Sequence, residues 1–293
     1  MKTLFIYNPN SGQKLIRIYL WDILNNLAKA EYDLKVYPTR KSGECLNYIK
    51  ENGSKYDLVI VSGGDGTLNE AINGLMSLRK RPNLGYIPAG TTNDFGATHK
   101  IPRDMNKASK SIIEGKNIYK IDIGKFNDRY FDYVAAFGAF TDVAYNTPQD
   151  IKNRLGHLAY LVSGIEALKE IKPYKIHIKT EDIEIEDEFI YGMITNTYQV
   201  GGLYRFNKSH VKFDDGLFEV TLVKNVQDPL ELAEMAASLA EENVKSEYVI
   251  RFKCKNISLI SDKQLSWTLD GENGGRTDKA EIKVLNKAIT LTK

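Results

Sequence analysis

The sequence predicts an α/β fold followed by a mostly β fold: a doubly wound parallel sheet up to about residue 122, then an antiparallel β region. Two observations support this prediction. Short apolar strands alternate with amphipathic helices in the first part, and several period-two strands follow in the second. With 42% apolar and 27% charged residues among 293, the chain has the composition of a globular protein that can bury sizeable cores.

The first region alternates strand and helix with short connections. The first predicted helix has apolar residues at helical spacing, namely Ile16, Leu20, Ile23, Leu24 and Leu27. The predicted strands are Lys2–Tyr7, Leu34–Tyr37, Asp57–Val61, Leu84–Ile87 and Ile118–Ile123, and the predicted helices are Lys14–Lys29, Gly43–Glu51, Thr67–Ser77 and Asp104–Glu114. Ligands of such sheets bind beyond the carboxyl ends of the strands, so the turns after these strands are the candidate binding elements.

The second region is mostly β. Its predicted strands are Tyr130–Phe140, Tyr174–Thr180, Glu184–Thr195, Leu217–Val223, Tyr248–Phe252, Ile257–Ile260, Leu265–Leu269 and Ala280–Leu285. Two predicted helices interrupt them, Leu155–Ile171 and Pro229–Glu241, the second with Asp228 as N-cap and proline in its first turn. We expect two domains, residues 1–122 and 123–293, that meet at a change of architecture rather than at a flexible linker.

Composition excludes several classes of protein. The longest apolar runs are far shorter than the ~18 residues of a membrane span, and the N-terminus lacks the features of a signal peptide, so we expect a cytoplasmic protein. Two cysteines, Cys45 and Cys254, fit a reducing compartment. The net charge of +2 is not that of a dedicated nucleic-acid binder.

The strongest local signal is the run Gly63-Gly64-Asp65-Gly66-Thr67, which joins an apolar strand to a helix. Glycines let the backbone approach a ligand closely, and the amides and dipole of the helix N-terminus favour an anion such as phosphate. Asp65 would then hold a magnesium ion rather than the phosphate. A strand–turn–helix connection with glycines for geometry alone stays open, because neither the phosphate-loop pattern nor a dinucleotide fingerprint is present.

Two further turns follow strands of the same predicted sheet, Asn8–Gly12 and Pro88–Phe95. Each alone is typical of an ordinary turn. Because parallel strands end at a common edge, we expect both turns to converge on the glycine run at residues 63–67.

These motifs together resemble the diacylglycerol kinase catalytic-domain family, and most closely its compact bacterial lipid kinases. The matching segments are Asn8–Gly12, Gly63–Glu70, Gly90–Phe95, Asp214–Leu217 and Leu269–Glu272, which occur in the family order. The wider superfamily includes NAD kinases. The resemblance implies a nucleotide-binding α/β domain, a β-sandwich domain and an active site in the cleft between them. It also implies phosphoryl transfer from ATP to a lipid hydroxyl with the help of Mg²⁺.

The resemblance further assigns roles to individual residues. It implies ATP contacts at Asn8, Pro9, Asn10, Ser11, Gly12, Thr39, Gly63, Gly64, Asp65, Gly66, Thr67, Leu68, Asn69 and Thr91. Glu272 is the implied general base for the lipid hydroxyl, and Asp270 belongs to the same catalytic motif. Asp65, Asp94 and Asp122 resemble the acidic network around the catalytic Mg²⁺. From pattern alone, residues 270–272 are typical of a β-turn. Structural alternatives also stay open for Asp94, as an acid in the first turn of a helix, and for Asp122, as a hydrogen-bonding residue at the domain junction.

A second, structural Mg²⁺ is implied in the loop that precedes the strand starting near Leu217. Its protein ligands would be the backbone carbonyls of Lys212 and Leu217 and the carboxylate of Asp215. Three protein oxygens suffice, because Mg²⁺ usually keeps several waters.

The leading hypothesis is an ATP-dependent lipid kinase acting on diacylglycerol or a related glycerolipid. An NAD kinase would also contain the glycine turn, but that hypothesis does not explain the segments at 90–95 and 270–272. A non-catalytic relative that senses a nucleotide or lipid would be expected to have lost one of the acidic residues. The acceptor lipid is not predicted. Transient contact with a membrane surface is expected, and homodimerisation stays open.

Overall fold

The computed structural model describes residues 1–138, 172–200, 204–205, 211–241 and 243–293. Four parallel strands form its N-terminal sheet in the order β2-β1-β3-β4. Their bounds are β1 Lys2–Tyr7, β2 Asp33–Pro38, β3 Leu58–Gly63 and β4 Asn83–Pro88. The central strand β3 is buried along its whole length, as its apolar run Leu58–Val61 indicates.

Helices cover both faces of this sheet. They are α1 Ile16–Lys29, α2 Glu44–Asn52, α3 Asp65–Met76, α4 Asp94–Thr98 and α5 Met105–Glu114, with a short 3₁₀ turn at Gly53–Lys55. α2 packs beside α3, and α1 packs beside α5. The right-handed crossovers β1–α1–β2, β2–α2–β3 and β3–α3–β4 put α2 and α3 on one face of this sheet and α1 on the other. The predicted doubly wound α/β region is therefore confirmed.

The remaining strands pair antiparallel with one another. They are β5 Ile118–Phe126, β6 Arg129–Phe131, β7 Val134–Gly138, β8 Tyr174–Lys179, β9 Glu184–Thr195, β10 Gln199–Val200, β11 Tyr204–Arg205, β12 Phe218–Lys224, β13 Val249–Cys254, β14 Asn256–Leu269 and β15 Glu272–Thr292. Helix α6, Pro229–Ala240, starts at the predicted N-cap, where the Asp228 carboxylate accepts from two backbone amides.

Several predicted elements differ from those observed. The expected strand Tyr130–Phe140 is split into β6 and β7, and the expected strands Ile257–Ile260 and Leu265–Leu269 are one strand, β14, with a register shift between them. The predicted helix Leu155–Ile171 lies outside the described residues. No helix in the described ranges is long and apolar enough to cross a bilayer.

The long strand β15 joins the two regions. It starts beside β14, runs antiparallel to β5 and ends parallel to β4, where Leu291 pairs with Leu84. Ile289 and Leu291 are buried in the N-terminal core, while a second core lies between the antiparallel strands around Trp267. The predicted boundary at residue 122 falls within β5 and stays a prediction.

Candidate active site

Three turns meet at the carboxyl edge of the parallel sheet, after β1, β3 and β4. A β-carbon at Gly12 (φ +49°) would collide with the carbonyl oxygen of Ala89, and one at Gly90 would lie 2.6 Å from Cα of Gly64. The turns are in backbone contact, so glycine is required by close approach at these positions. The predicted convergence of the three turns is confirmed.

Helix α3 starts within the central turn. Gly64 is its N-cap residue and Asp65 its first residue, and no side chain caps its first amides. A helix N-terminus with free amides after a glycine turn suits a phosphate group. The amide side chain of Asn8 donates to the Thr67 hydroxyl (3.3 Å), which ties the first turn to this helix.

A cleft of about 600 Å³ opens in front of the glycine turn. Eight of the predicted nucleotide-binding residues line it: Asn8, Asn10, Ser11, Thr39, Gly64, Gly66, Thr67 and Asn69. The cations Arg40, Lys41 and Arg129 also line it, so a polyanionic ligand in the cleft would meet positive charge. Arg129 was not predicted from the sequence.

Several other predicted nucleotide-binding residues do not line this cleft. The Leu68 side chain is fully buried in the N-terminal core, so only its backbone could face a ligand. Thr91 lines a separate cavity of about 250 Å³. Pro9, Gly12 and Gly63 contribute to the turns without lining the cleft.

Glu70 fixes one wall of the cleft although it was not predicted to do so. Its carboxylate accepts hydrogen bonds from the Ser42 hydroxyl (3.0 Å) and from the amides of Gly43 (2.7 Å) and Cys45 (3.2 Å). It therefore caps helix α2 and holds the loop that carries Thr39. The sequence signal for Glu70 was only its place after the glycine run.

Glu272 reaches the same cleft from the second region. It is the first residue of β15, its side chain is exposed, and it lines the cleft together with Asn273. A β-carbon on Gly66 would lie 2.9 Å from Glu272 Oε1. The missing side chain at Gly66 thus leaves the space that the Glu272 carboxylate occupies against the start of α3.

We expect Gly66→Ala to lower kcat of the phosphoryl transfer that the sequence predicts about tenfold or more, without destabilising the fold. The exposed Glu272 side chain would move away from the added methyl group, whereas alanine inside a helix is favoured over glycine by about 0.5–1 kcal/mol. Steady-state kinetics and a thermal melt check this. Gly74→Ala serves as a contrast, since its β-carbon would meet the Leu46 backbone at 2.9 Å and should cost stability. An unchanged kcat in Gly66→Ala would show that Glu272 does not depend on this space.

Asp270 anchors the turn that presents Glu272. It is 3% exposed with φ +52°. Oδ2 accepts from Asn69 Nδ2 (2.6 Å) and from the amide of Asp132 (2.9 Å), while Oδ1 accepts from the amides of Tyr133 and Val134 (3.0 Å each). Its carboxylate is occupied by contacts within the protein. The geometry suits positioning of Glu272 rather than contact with substrate.

Asp132 is a buried acid beside Asp270 that sequence reasoning missed. It is 5% exposed, and neither carboxyl oxygen has a hydrogen-bond donor among the described contacts. Burial, and then the charge of Asp270, raise the pKa of Asp132 well above its usual range. A protonated Asp132 carries no charge and does not repel the Asp270 carboxylate, which explains how two acids share this interior.

Asp65 and Asp94 form the acidic side of the glycine turn. Burial, followed by the charge of Asp94, raises the pKa of Asp65 from 3.8 to about 6, while the amides of Asn93 and Asp94 act in the opposite direction. Asp65 Oδ1 is buried without a hydrogen-bond donor among the described contacts, and Asp94 is 2% exposed. An unsatisfied carboxylate oxygen beside a second acid is what a bound cation would satisfy.

Asp122 lies in a different set of contacts. Its carboxylate accepts from the amides of Gly216 (2.7 Å) and Lys287 (2.6 Å) and from Asn286 Nδ2 (2.9 Å). Burial raises the pKa of Asp122, and the two amides oppose that rise. These contacts match the alternative of a junction residue that holds the loop around Gly216, and they do not place Asp122 beside Asp65.

The loop Lys212–Leu217 is compact and acidic. Asp215 Oδ1 accepts from the Leu217 amide (3.1 Å), and its Oδ2 lies 3.8 Å from Lys253 Nζ. Lys253 also lies 2.9 Å from Glu219, whose pKa burial raises to about 7 in spite of this lysine. The carboxylate and carbonyls of this loop are hard oxygen donors of the type that Mg²⁺ accepts.

The acids of the described segments are not preassembled into a metal cage. Within those segments no three Asp, Glu, His or Cys side chains are close enough to enclose an ion. Mg²⁺ does not require such a cage, because it is usually held by one or two carboxylates together with waters and substrate phosphates.

Comparison with known proteins agrees with this geometry. The family model described as "Diacylglycerol kinase catalytic domain" matches residues 2–126, and the one described as "YegS C-terminal NAD kinase beta sandwich-like domain" matches residues 136–293. A diacylglycerol kinase of Bacillus subtilis (strain 168) is 35% identical over 274 residues, which cover 92% of this chain and 89% of that protein. The chain belongs to the diacylglycerol kinase family.

Two further relatives agree with this assignment. A diacylglycerol kinase of Staphylococcus epidermidis (strain ATCC 35984) is 38% identical over 276 residues, covering 92% of this chain and 85% of that protein. A crystal structure from Bacillus anthracis str. Sterne, described as a candidate diacylglycerol kinase, has a TM-score of 0.84 at 30% identity and covers 99% of this chain and 94% of that one. The predicted resemblance, the β-sandwich-like second fold and the lipid-kinase class of the family are confirmed.

Proposed function

We propose that the protein transfers the γ-phosphoryl group of ATP to the hydroxyl of diacylglycerol or a related glycerolipid. The observation that carries the proposal is the position of Glu272, whose carboxylate lies against Gly66 at the start of α3. A candidate proton acceptor and a candidate phosphate site thereby share one cleft, and the chain belongs to a family of lipid kinases.

The glycine turn and its neighbours supply the nucleotide site of this proposal. The amides at the start of α3 and the polar side chains of Asn8, Asn10 and Thr67 face the cleft, where they can donate to phosphate oxygens. Arg129 adds a guanidinium that also donates to the Asn273 carbonyl (2.7 Å), so one side chain links the phosphate site to the segment carrying Glu272. The remaining contacts predicted from the family, including Thr39 and Thr91, belong to the same proposal.

The acids divide into two groups. Asp65, with Asp94 beside it, would hold the catalytic Mg²⁺, since Asp65 has a buried carboxylate oxygen without a donor. The ion would neutralise phosphate charge during transfer. Asp215 and the carbonyls of Lys212 and Leu217 would hold the structural Mg²⁺.

In this proposal Asp122 supports the structural site rather than the catalytic one. Its bonds to the amides of Gly216 and Lys287 fix the loop that would hold the second ion. Asp122 would therefore position the backbone of the loop that holds the structural Mg²⁺, without contacting the catalytic Mg²⁺ itself.

The protein's part in the transfer is proton removal and alignment. Glu272 accepts the proton of the lipid hydroxyl as that oxygen forms its bond to the γ-phosphorus, and the bond from this phosphorus to the β–γ bridging oxygen breaks to release ADP. Asp270 holds the turn, and the backbone amide of Asp132 is one of the donors that hold Asp270. Cleft residues keep the phosphates in line with the acceptor.

The stabilising effect of Mg²⁺ on the fold should depend on pH. Folding raises the pKa of Asp65 from 3.8 to about 6, so without a cation its contribution to stability falls as pH rises through that window. Mg²⁺ binds the ionised form, so the rise in Tm on adding Mg²⁺ should be small at pH 5 and larger above pH 6. Thermal melts with and without Mg²⁺ across this range, repeated with Asp65→Asn, measure it. A shift in Tm independent of pH would contradict the assignment.

NAD kinase is the second candidate, favoured by the name of the family model that matches residues 136–293. Assays with ATP labelled at its γ-phosphate would compare a panel of hydroxyl-bearing lipids (diacylglycerol, phosphatidylglycerol, a sphingoid base and a prenyl alcohol) with NAD. Mass spectrometry would identify the product. Phosphatidic acid as the leading product supports the proposal, and faster formation of NADP would replace it.

A further inference from the structure

Helix α3 is joined to strand β6 through the side-chain amide of Asn73. Asn73 Oδ1 accepts from the Tyr130 amide (3.0 Å), and Asn73 Nδ2 donates to the Tyr130 carbonyl (3.0 Å). One side chain therefore binds both backbone groups of a strand residue, as a neighbouring strand would. Asn69, four residues earlier on the same side of α3, donates to the same carbonyl (3.3 Å) and accepts from Asn73 Nδ2 (3.1 Å). Asparagine carries the donor and the acceptor that this pairing needs in one planar group.

Strand β6 lies where the two cores of the molecule meet. The Tyr130 ring packs against the N-terminal core, whereas the next residue, Phe131, is fully buried in the second core. Successive residues of a strand point to opposite sides, so β6 contributes a side chain to each core. The bonds from its backbone to Asn73 thus attach the boundary between the cores to a defined point on α3.

The turn that presents Glu272 is held by the same stretch of chain, residues 129–134. After Glu272, the Asn273 carbonyl accepts from the Arg129 guanidinium (2.7 Å). Before Glu272, the Asp270 carboxylate accepts from the amides of residues 132–134 (2.9–3.0 Å). The position of Glu272 between these two anchors therefore follows the position of residues 129–134.

Helix α3 also carries the candidate phosphate site at its N-terminus. Gly66, in its first turn, faces the second region, since a β-carbon there would lie 2.9 Å from Glu272 Oε1. Asn73 is seven residues further along the helix, which corresponds to about 10 Å. Asn69 lies between the two and donates to Asp270 Oδ2 (2.6 Å). The phosphate site and the turn that carries Glu272 are thus attached to one rigid helix.

We propose that Asn73 is a positioning residue for phosphoryl transfer. By fixing residues 129–134 it fixes the turn 270–273, so that the Glu272 carboxylate meets the acceptor hydroxyl in line with the phosphate at the start of α3. The inference rests on the proposed function, because Glu272 is the proton acceptor there. Catalysis is sensitive to displacements of about 1 Å, whereas the groups proposed to bind ATP are not altered by a change at Asn73. Its loss should therefore lower kcat and leave KM for ATP nearly unchanged.

Asn73→Leu tests this role with a side chain of similar size that cannot form hydrogen bonds. Because Asn73 does not line the cleft, the substitution removes no group that faces the nucleotide. Its kcat should fall about ten- to hundredfold, while KM for ATP stays within about twofold of the wild-type value. An unchanged kcat in the folded variant overturns the proposal.

Asn52→Leu is the matched control. Asn52 is partly exposed like Asn73, and each donates to a backbone carbonyl four residues earlier, that of Tyr48 (3.3 Å) and that of Asn69 (2.9 Å) respectively. Asn52 lies at the end of α2 and does not line the cleft. Its replacement should leave both kcat and KM for ATP at the wild-type values.

A double-variant cycle with Glu272→Gln distinguishes positioning from a general loss of structure. If Asn73 acts through Glu272, kcat of the combined variant should equal that of Glu272→Gln within about threefold. A merely structural defect would multiply the two losses, and that result overturns the proposal. If Asn73→Leu does not fold, Asn73→Asp enters the same cycle, since it keeps an acceptor for the Tyr130 amide and loses the donor to the Tyr130 carbonyl.

Hydrogen exchange gives a measurement that needs no activity. The amides of residues 130–134 and 270–273 should exchange faster in Asn73→Leu than in the wild type, with the amides of β1 and β3 unchanged. If the wild type phosphorylates no lipid and exchange rises at both segments, the lipid-kinase proposal fails and the role of Asn73 in holding the turn stands. If lipid phosphorylation is normal and exchange at residues 270–273 is unchanged, the role of Asn73 fails and the kinase proposal stands.

Discussion

Glu272→Gln is expected to lower kcat for lipid phosphorylation by about 10²- to 10⁴-fold. The amide keeps the shape and hydrogen-bonding reach of the carboxylate but cannot accept the proton of the acceptor hydroxyl. The side chain is exposed and borders Gly66 at the cleft, so its replacement should leave Tm nearly unchanged. KM for ATP should change little, because no other group of the nucleotide site is altered.

The matched control for this variant is Asp278→Asn, which removes an exposed carboxylate from the same strand, β15, outside the cleft. It should keep full activity. Full kcat in Glu272→Gln, with every lipid that the wild type phosphorylates, would show that proton removal is performed elsewhere.

Asp270→Ala is expected to destabilise the fold by roughly 3–5 kcal/mol, because it leaves several buried donors without an acceptor. Asn69 and the amides of residues 132–134 lose the carboxylate that now accepts from all of them. The turn that presents Glu272 should loosen as well, so the rate should fall even where the protein is folded. Urea unfolding measures the loss of stability, and kcat at low temperature measures the effect on the folded enzyme.

The controls for Asp270 separate anchoring from charge. Asp270→Asn preserves the shape of the side chain but turns one acceptor into a donor, so its stability should lie between wild type and alanine. Asp278→Ala, on the exposed part of β15, should be neutral. A stable Asp270→Ala protein with normal activity would contradict the anchoring role.

The sequence predicted the parts of this molecule that depend on local pattern. The alternation of strands and helices before residue 122 follows from periodicity, and the helix after Gly64 follows from glycines at a strand end. Convergence of the turns at residues 8–12, 63–67 and 88–93 also followed, since parallel strands end at one edge.

The parts that depend on distant contacts were not predictable from one sequence. The buried Asp122 carboxylate accepts hydrogen bonds from the amides of Gly216 and Lys287, which lie 94 and 165 residues away along the chain. Asp132 is equivalent in sequence to any polar residue between strands, and only burial beside Asp270 distinguishes it. The return of β15 to pair with β4 likewise depends on the packing of Leu291 in the first core.

Transfer of labelled phosphate from ATP to purified diacylglycerol is the most direct test of the central claim. The wild-type protein with Mg²⁺ should form labelled phosphatidic acid, at a rate that exceeds NADP formation and that falls at least about 10²-fold in Glu272→Gln. Absence of a labelled lipid from the folded wild-type protein, or formation of NADP faster than any lipid product, would contradict the account.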